Sequence, residues 1–209
     1  MKHAVIFDID GTLLDSSVDD DRMYREAVVQ VLGNVRLRPG LADYDPVTDT
    51  GILLQILKDN GLPTDQGKIA DIKNEFFVRL ESHVQKVGPF RELPGAKSVF
   101  RRLRDSDAHH LAIATGGWKY SAEVKLNTAG FDISAVPLAT SDDALERTAI
   151  MEVALAAIGE EVASVTYFGD GLWDQRACEV LGWTFRAVGP ALAGISSYDD
   201  EFTIKSSSS

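Results

Sequence analysis

Three short apolar runs each stop abruptly on a polar residue. His3 to Phe7 ends on Asp8, Leu111 to Ala114 on Thr115, and Val165 to Phe168 on Gly169-Asp170. Uninterrupted apolar runs with β-branched or aromatic residues suit strands buried on both faces, as in a parallel sheet. Helical periodicity fills the intervals. Ala96, Val99, Phe100 and Leu103 recur at helical spacing after Pro94-Gly95; Ile150, Val153, Ala154 and Ala157 do so before Gly159; Ala177, Val180 and Leu181 follow Asp174 and stop at Gly182. Trp183 to Val188 predicts a further strand. Strands alternating with helices from residue 93 onward predict βαβ units and a doubly wound α/β fold with a parallel sheet. In such folds ligands bind outside the carboxyl ends of the strands. Asp8, Thr115 and Asp170 stand at those ends.

Residues 16–90 follow a different pattern. Ser16 or Ser17 can cap a helix bearing Met23, Ala27, Val28 and Val31. Ile52, Leu53, Ile56 and Leu57 form a second stripe closed by Asn60-Gly61, and a third runs through Ile69, Ile72, Phe76, Leu80 and Val84. The pattern shows no strand, so the segment reads as a small helical domain inserted between residues 1–15 and 91–209. The stretch Gly88 to Gly95, with Pro89 and Pro94, reads as the return linker.

Composition narrows the function. The 209 residues suffice for one sizeable core and a smaller accessory domain, and the formal charge of −11 argues against nucleic-acid or anionic-membrane partners. An anionic substrate would then need cations gathered locally, and a bound metal ion is the obvious candidate. The lone cysteine, Cys178, excludes an internal disulfide, fits a reducing cytoplasm, and reads as a buried core residue. The apolar stretch at the start is too short for a signal peptide or a membrane span, and Ser206 to Ser209 read as a disordered tail.

The candidate chemistry lies at the strand ends. Asp8 and Asp10 sit two apart, and Gly11 lets the chain turn so that both carboxylates can face one crevice. Two such carboxylates repel unless a cation intervenes; with Mg²⁺ present, one can be an ionised nucleophile while the other carries a proton. A plain acidic turn is the alternative. Asp170 and Asp174 form a second acidic site suited to magnesium, although Asp174 could equally be a carboxylate favoured at a helix start. Thr115-Gly116-Gly117 offers a hydroxyl and backbone N–H groups for a phosphate, or is a simple loop. Arg147, read as opening a helix after a fourth strand, could hold a phosphate or be a surface arginine paired near Glu146. His109 and His110 read as a solvated loop, and Asp19-Asp20-Asp21 as a solvated helix start. Trp118 either covers the site mouth or fills the core.

These motifs in this order resemble the haloacid dehalogenase-like hydrolase superfamily over about residues 4–188. Asp8-Ile9-Asp10-Gly11-Thr12 matches its first motif, Thr115-Gly116 the second, and Gly169-Asp170-Gly171-Leu172-Trp173-Asp174 the fourth. The third departs from the family pattern: Arg147 stands where most members carry lysine, with Lys119 and Lys125 as fallback cations. The resemblance implies a Rossmann-like core with a small α-helical cap, as in phosphoglycolate-phosphatase-like members. It further implies an Mg²⁺-dependent phosphatase with Asp8 as nucleophile, Asp10 as acid and base, and an aspartyl-phosphate intermediate. Thr115, Gly116 and Arg147 would bind phosphate; Asp8, Asp10 (through its carbonyl), Asp170 and Asp174 would serve the metal. Thr48-Asp49 would lie in a specificity loop of the cap, or simply start a helix. Asp10 favours phosphoryl transfer, because the family's dehalogenases lack that carboxylate. The expected partner is a small phosphorylated metabolite, and the expected state a monomer or homodimer. The rival readings are a sugar-phosphate phosphomutase and a non-catalytic phosphate-sensing module.

Overall fold

A computed structural model describes residues 1–199; the serine tail lies outside the described residues. Five strands form one parallel sheet: β1 (Lys2–Phe7), β2 (His109–Ala114), β3 (Leu138–Ala139), β4 (Val162–Gly169) and β5 (Thr184–Ala187), in the order β3-β2-β1-β4-β5. The central position of β1 explains its unbroken apolar run. Its register aligns Phe7 with Ile113 on one side and Phe168 on the other, so the residues following all three strands emerge side by side.

Alternation along the strands divides the core. Val5, Phe7, Leu111, Ile113 and Phe168 face one side, where α4 (Ala96–Arg104), α5 (Lys119–Thr128) and the helical insertion pack. Ala4, Ile6, Ala112, Ala114 and Tyr167 face the other, against α6 (Arg147–Ala157) and α7 (Leu172–Leu181). The small Ala112 and Ala114 let α6 approach the sheet closely. Val153 and Val180, placed on the apolar stripes by periodicity, are exposed; the buried faces are set by their neighbours Ala154 and Ala177. Cys178 is buried in this second layer.

The insertion consists of α1 (Ser17–Leu32), α2 (Asp49–Asp59) and α3 (Gln66–Lys86), with no strand among them. Met23, Ile52 and Phe76 belong to the same apolar cluster as Phe7 and Ile113, so the insertion shares its core with one face of the sheet. Trp118 is fully buried among Tyr24, Phe76 and Phe77 and is a core residue rather than a lid over the mouth.

Three expectations need correction. Arg147 opens the helix after the third strand, the two-residue Leu138–Ala139, not after a fourth. His109 and His110 are the first residues of β2, half-buried beside His3 and Glu160, rather than a solvated loop. Ser16 occupies the position before α1 but gives the helix no side-chain cap, because its hydroxyl donates to Asp10.

After β5 the chain returns beneath the acidic turn. Tyr198 packs against Phe7 and Phe168, and its hydroxyl donates to the carbonyl of Thr12 at 3.1 Å. Among the described residues, no helix is long and apolar enough to cross a membrane.

Candidate active site

The crevice lies where the ends of β2, β1 and β4 meet the insertion. Asp8 leaves β1 with its N–H donated to the carbonyl of Phe168, which fixes the start of the turn. Gly11 then adopts a positive φ of 72°, and its N–H closes back on Leu14. A Cβ at Gly11 would stand 1.9 Å from an Asp170 carboxylate oxygen, so the close approach of the two acidic loops requires glycine. Asp8, Asp10, Thr115, Gly116, Arg147 and Asp170 all line one cavity of about 110 Å³.

Arg147 joins the acidic groups. Its Nε and Nη2 donate to Asp174 Oδ1 at 2.7 and 2.6 Å, and Nη2 lies 3.2 Å from Asp8. The surface reading of this arginine is therefore incorrect; it is buried, and Asp174, Asp8 and Tyr167 offset the cost of burying its charge. Asp174 is fully buried and its other oxygen accepts the Gly171 N–H, so it both caps α7 and anchors Arg147. Burial disfavours the charged Arg147, but Asp174 and then Tyr167 and Asp8 outweigh it and keep the guanidinium protonated.

One oxygen from each of Asp8, Asp170 and Asp174 falls within 4.8 Å of the others. Burial raises Asp8 well above the carboxylate range, against the pull of Arg147, and Asp174 and Asp170 add to the rise. Asp170 is pushed up to about 7, first by burial and then by Asp174. Three carboxylates this close repel one another, and a divalent cation held among them would offset that repulsion. The donor set suits Mg²⁺. Because Asp174 Oδ1 already serves Arg147, Asp8 and Asp170 have the freer oxygens.

Asp10 is turned a different way. Both its carboxylate oxygens accept from Lys125 Nζ at 2.7 Å, and Oδ1 also accepts from Ser16. Lys125, on α5, extends the same ammonium to Asp20 at 2.8 Å. It is 1% exposed; burial works against its charge, and Asp10 and Asp20 reverse that effect. Asp20 is thus no solvated helix-start residue. Its carboxyl is raised to about 6 by burial, with Lys125 opposing the shift. Sequence reasoning had Lys125 only as a fallback; its signal was the helical spacing with Ala122, Leu126 and Ala129, all buried. Lys119 starts α5, where its N–H donates to Asp142.

The phosphate-loop candidates sit against the insertion. Thr115 is buried and its Oγ1 accepts the Gly117 N–H. The Gly116 carbonyl accepts the Asp49 N–H, Asp49 Oδ2 accepts the Trp118 N–H, and Trp118 Nε1 donates to Thr50. Thr48 caps α2 through Gly51 N–H and also donates to the Leu145 carbonyl. Thr48 and Asp49 line the cavity as well.

An aspartate-lined crevice at the carboxyl ends of a doubly wound parallel sheet is what this fold and geometry define. A family model of the haloacid dehalogenase-like hydrolases matches residues 2–182, and the chain belongs to that family. Solved structures share the architecture. A hydrolase from Pseudomonas syringae is 22% identical, with a TM-score of 0.71 over 88% of this chain and 83% of that one. CbbY from Rhodobacter sphaeroides, solved with phosphate, is 19% identical, with a TM-score of 0.72 over 97% and 91%. A β-phosphoglucomutase from Clostridium difficile is 14% identical, with a TM-score of 0.70 over 91% and 86%. No curated protein matches the sequence.

Proposed function

We propose that this hydrolase is an Mg²⁺-dependent phosphatase acting on a small phosphorylated metabolite through an aspartyl-phosphate on Asp8. The observation that carries the reading is the cluster of Asp8, Asp170 and Asp174 oxygens within 4.8 Å, with Arg147 3.2 Å from Asp8. Asp8 attacks phosphorus in line and the ester oxygen leaves, taking a proton from Asp10. Water then attacks the phosphorus of the aspartyl-phosphate, Asp10 accepts its proton, and inorganic phosphate leaves with Asp8 restored. The Asp10 carboxylate paired with Lys125 is the form that serves this second half. Thr115, the loop at Gly116 and Arg147 position the phosphoryl group, since this chemistry depends on placement and electrostatics. Bound Mg²⁺ would neutralise charge in the transition state, and Asp8, Asp170 and the Asp10 carbonyl would hold it with Asp174 behind them. Residues 16–90 act as a cap, with Thr48-Asp49 docked on the phosphate loop.

A phosphate-release screen over small phosphate esters with Mg²⁺ tests this, repeated with Asp8→Asn and with EDTA. Release that depends on both Asp8 and the metal is expected; activity surviving both changes would sink the mechanism. Isomerised sugar phosphate without free phosphate would instead mark a phosphomutase.

A further inference from the structure

The charges around the cavity restrict what the substrate can carry beyond its reacting phosphate. On the insertion side the cavity is bounded by Asp20, Asp21 and Asp49, with Tyr24 and Ile52 between them. The nearby cations are already engaged. Arg147 serves Asp174 and Asp8. Lys125 is buried between Asp10 and Asp20. Arg25 donates through Nε to both oxygens of Asp21 at 2.9 and 2.7 Å and through Nη1 to the carbonyl of Arg38. Among the described residues lining the cavity, Arg147 is the one with a positive charge.

Backbone donors do not make up the deficit. At the start of α2 the Asp49 N–H is taken by Gly116 and the Gly51 N–H by Thr48 Oγ1, while the Asp49 carboxylate itself occupies that end. At the start of α1 the first turn bears Asp19 and Asp20. Acceptors, by contrast, are plentiful, and Ser17 Oγ is shielded from solvent with no partner within the protein while its residue lines the cavity. A buried hydroxyl without a partner is a group waiting for one from a ligand.

We propose that the crevice takes phosphate monoesters whose alcohol is non-anionic and rich in hydroxyl or ammonium donors, and discriminates against esters carrying a second phosphate or a carboxylate. The inference rests on the phosphatase reading and names the substrate class for that site. It separates this chain from the structural relative CbbY, one crystal of which contains xylulose-1,5-bisphosphate. It also predicts that 2-phosphoglycolate, the substrate suggested by the resemblance to phosphoglycolate-phosphatase-like members, is handled poorly. The physical reason is the want of a free cation: Asp20 and Asp21 already hold Lys125 and Arg25, so a distal anion would lose its water among acidic groups with no positive charge released to meet it.

Pairs that share a carbon skeleton and differ in the charge they carry beyond the reacting phosphate test the proposal. Ethanolamine phosphate is set against 2-phosphoglycolate, glycerol 3-phosphate against 3-phosphoglycerate, and fructose 1-phosphate against fructose 1,6-bisphosphate. Both kcat/KM for the native enzyme and calorimetric binding to the Asp8→Asn protein with Mg²⁺ are measured. The non-anionic member of each pair is expected to be favoured by at least about tenfold, with Asp21→Asn and Asp49→Asn narrowing the ratio. Equal or better binding of the anionic members overturns the proposal. If the native enzyme also fails to hydrolyse p-nitrophenyl phosphate and acetyl phosphate, the phosphatase reading falls. The binding ratios then still decide: a preference for the non-anionic members upholds the substrate class, and no binding or a reversed order overturns it.

Discussion

Lys125 Nζ lies 2.7 Å from each carboxylate oxygen of Asp10, tying α5 to the turn that follows β1. The same ammonium reaches Asp20 on α1, so a single buried charge joins the core, the acidic turn and the insertion. Replacing it exposes how much depends on that arrangement. Lys125→Met leaves two carboxylates without their cation and is expected to cost about 3–5 kcal/mol. Adding Asp20→Asn should recover part of the loss, because one of the orphaned charges is then gone. Chemical denaturation of the single and double variants measures this; a double variant no more stable than the single would contradict the shared pairing.

Arg147 stands in the same relation to Asp174. Arg147→Ala strands a fully buried carboxylate and should destabilise the fold by about 3–5 kcal/mol, besides removing the charge beside Asp8. Arg147→Lys keeps a cation but cannot reproduce the two N–H contacts to Oδ1, so it should fall between the native protein and Arg147→Ala in both stability and phosphate release. Equal behaviour of Lys and Ala at this position would count against the electrostatic role.

The metal should act more strongly at higher pH. Asp170 is raised to about 7 and Asp20 to about 6, whereas both ionise near 3.8 in an unfolded chain. Between those values the folded state holds more protons, so these groups contribute stability at low pH that is lost as pH rises through about 6–7. Mg²⁺ held by Asp170 would compete with those protons. In thermal melts the Mg²⁺-induced rise in Tm is expected to be larger at about pH 8 than at about pH 5. In EDTA, Asp170→Asn should reduce the fall in Tm across that interval. A metal increment independent of pH would argue against the acidic cluster as its site.

Gly116→Ala probes the docking of the insertion on the loop at residues 115–117. A Cβ there would meet Arg147 Nη1 at 2.7 Å and the Val47 carbonyl at 2.9 Å. Because the second neighbour is backbone, the strain should cost about 1–3 kcal/mol and lower activity by displacing Arg147. Native-like stability and turnover in this variant would show that the loop has more room than the structure gives it.

The strands that position the site were legible because burial on both faces leaves an uninterrupted apolar run, and Asp8, Thr115 and Asp170 end those runs. The two-residue β3, which leads to the helix opened by Arg147, carries no such pattern and is not legible. Lys125 and Asp20 were harder for an energetic reason. A lysine on a helix is nearly always solvated and an aspartate in a first helical turn is favourable there, so each residue's ordinary preference pointed to the surface. Only their pairing across about a hundred residues makes both burials tolerable, and no local window contains both. Asp174 was readable as an acidic helix start and as a site residue, and the structure gives it both positions.

The placing of β1 at the centre of the sheet also dictates when the site can exist during folding. Its neighbours, β2 and β4, come from far along the chain, and the carbonyl of Thr12 is braced by Tyr198, 186 residues away. Helices α1 to α3 lie within residues 17–86 and each can nucleate from local contacts, but loop-closure entropy delays the pairings that align Asp8 with Thr115 and Asp170. Catalytic competence is therefore among the last properties the chain acquires. Partly folded states can carry much of the helix content and none of the crevice.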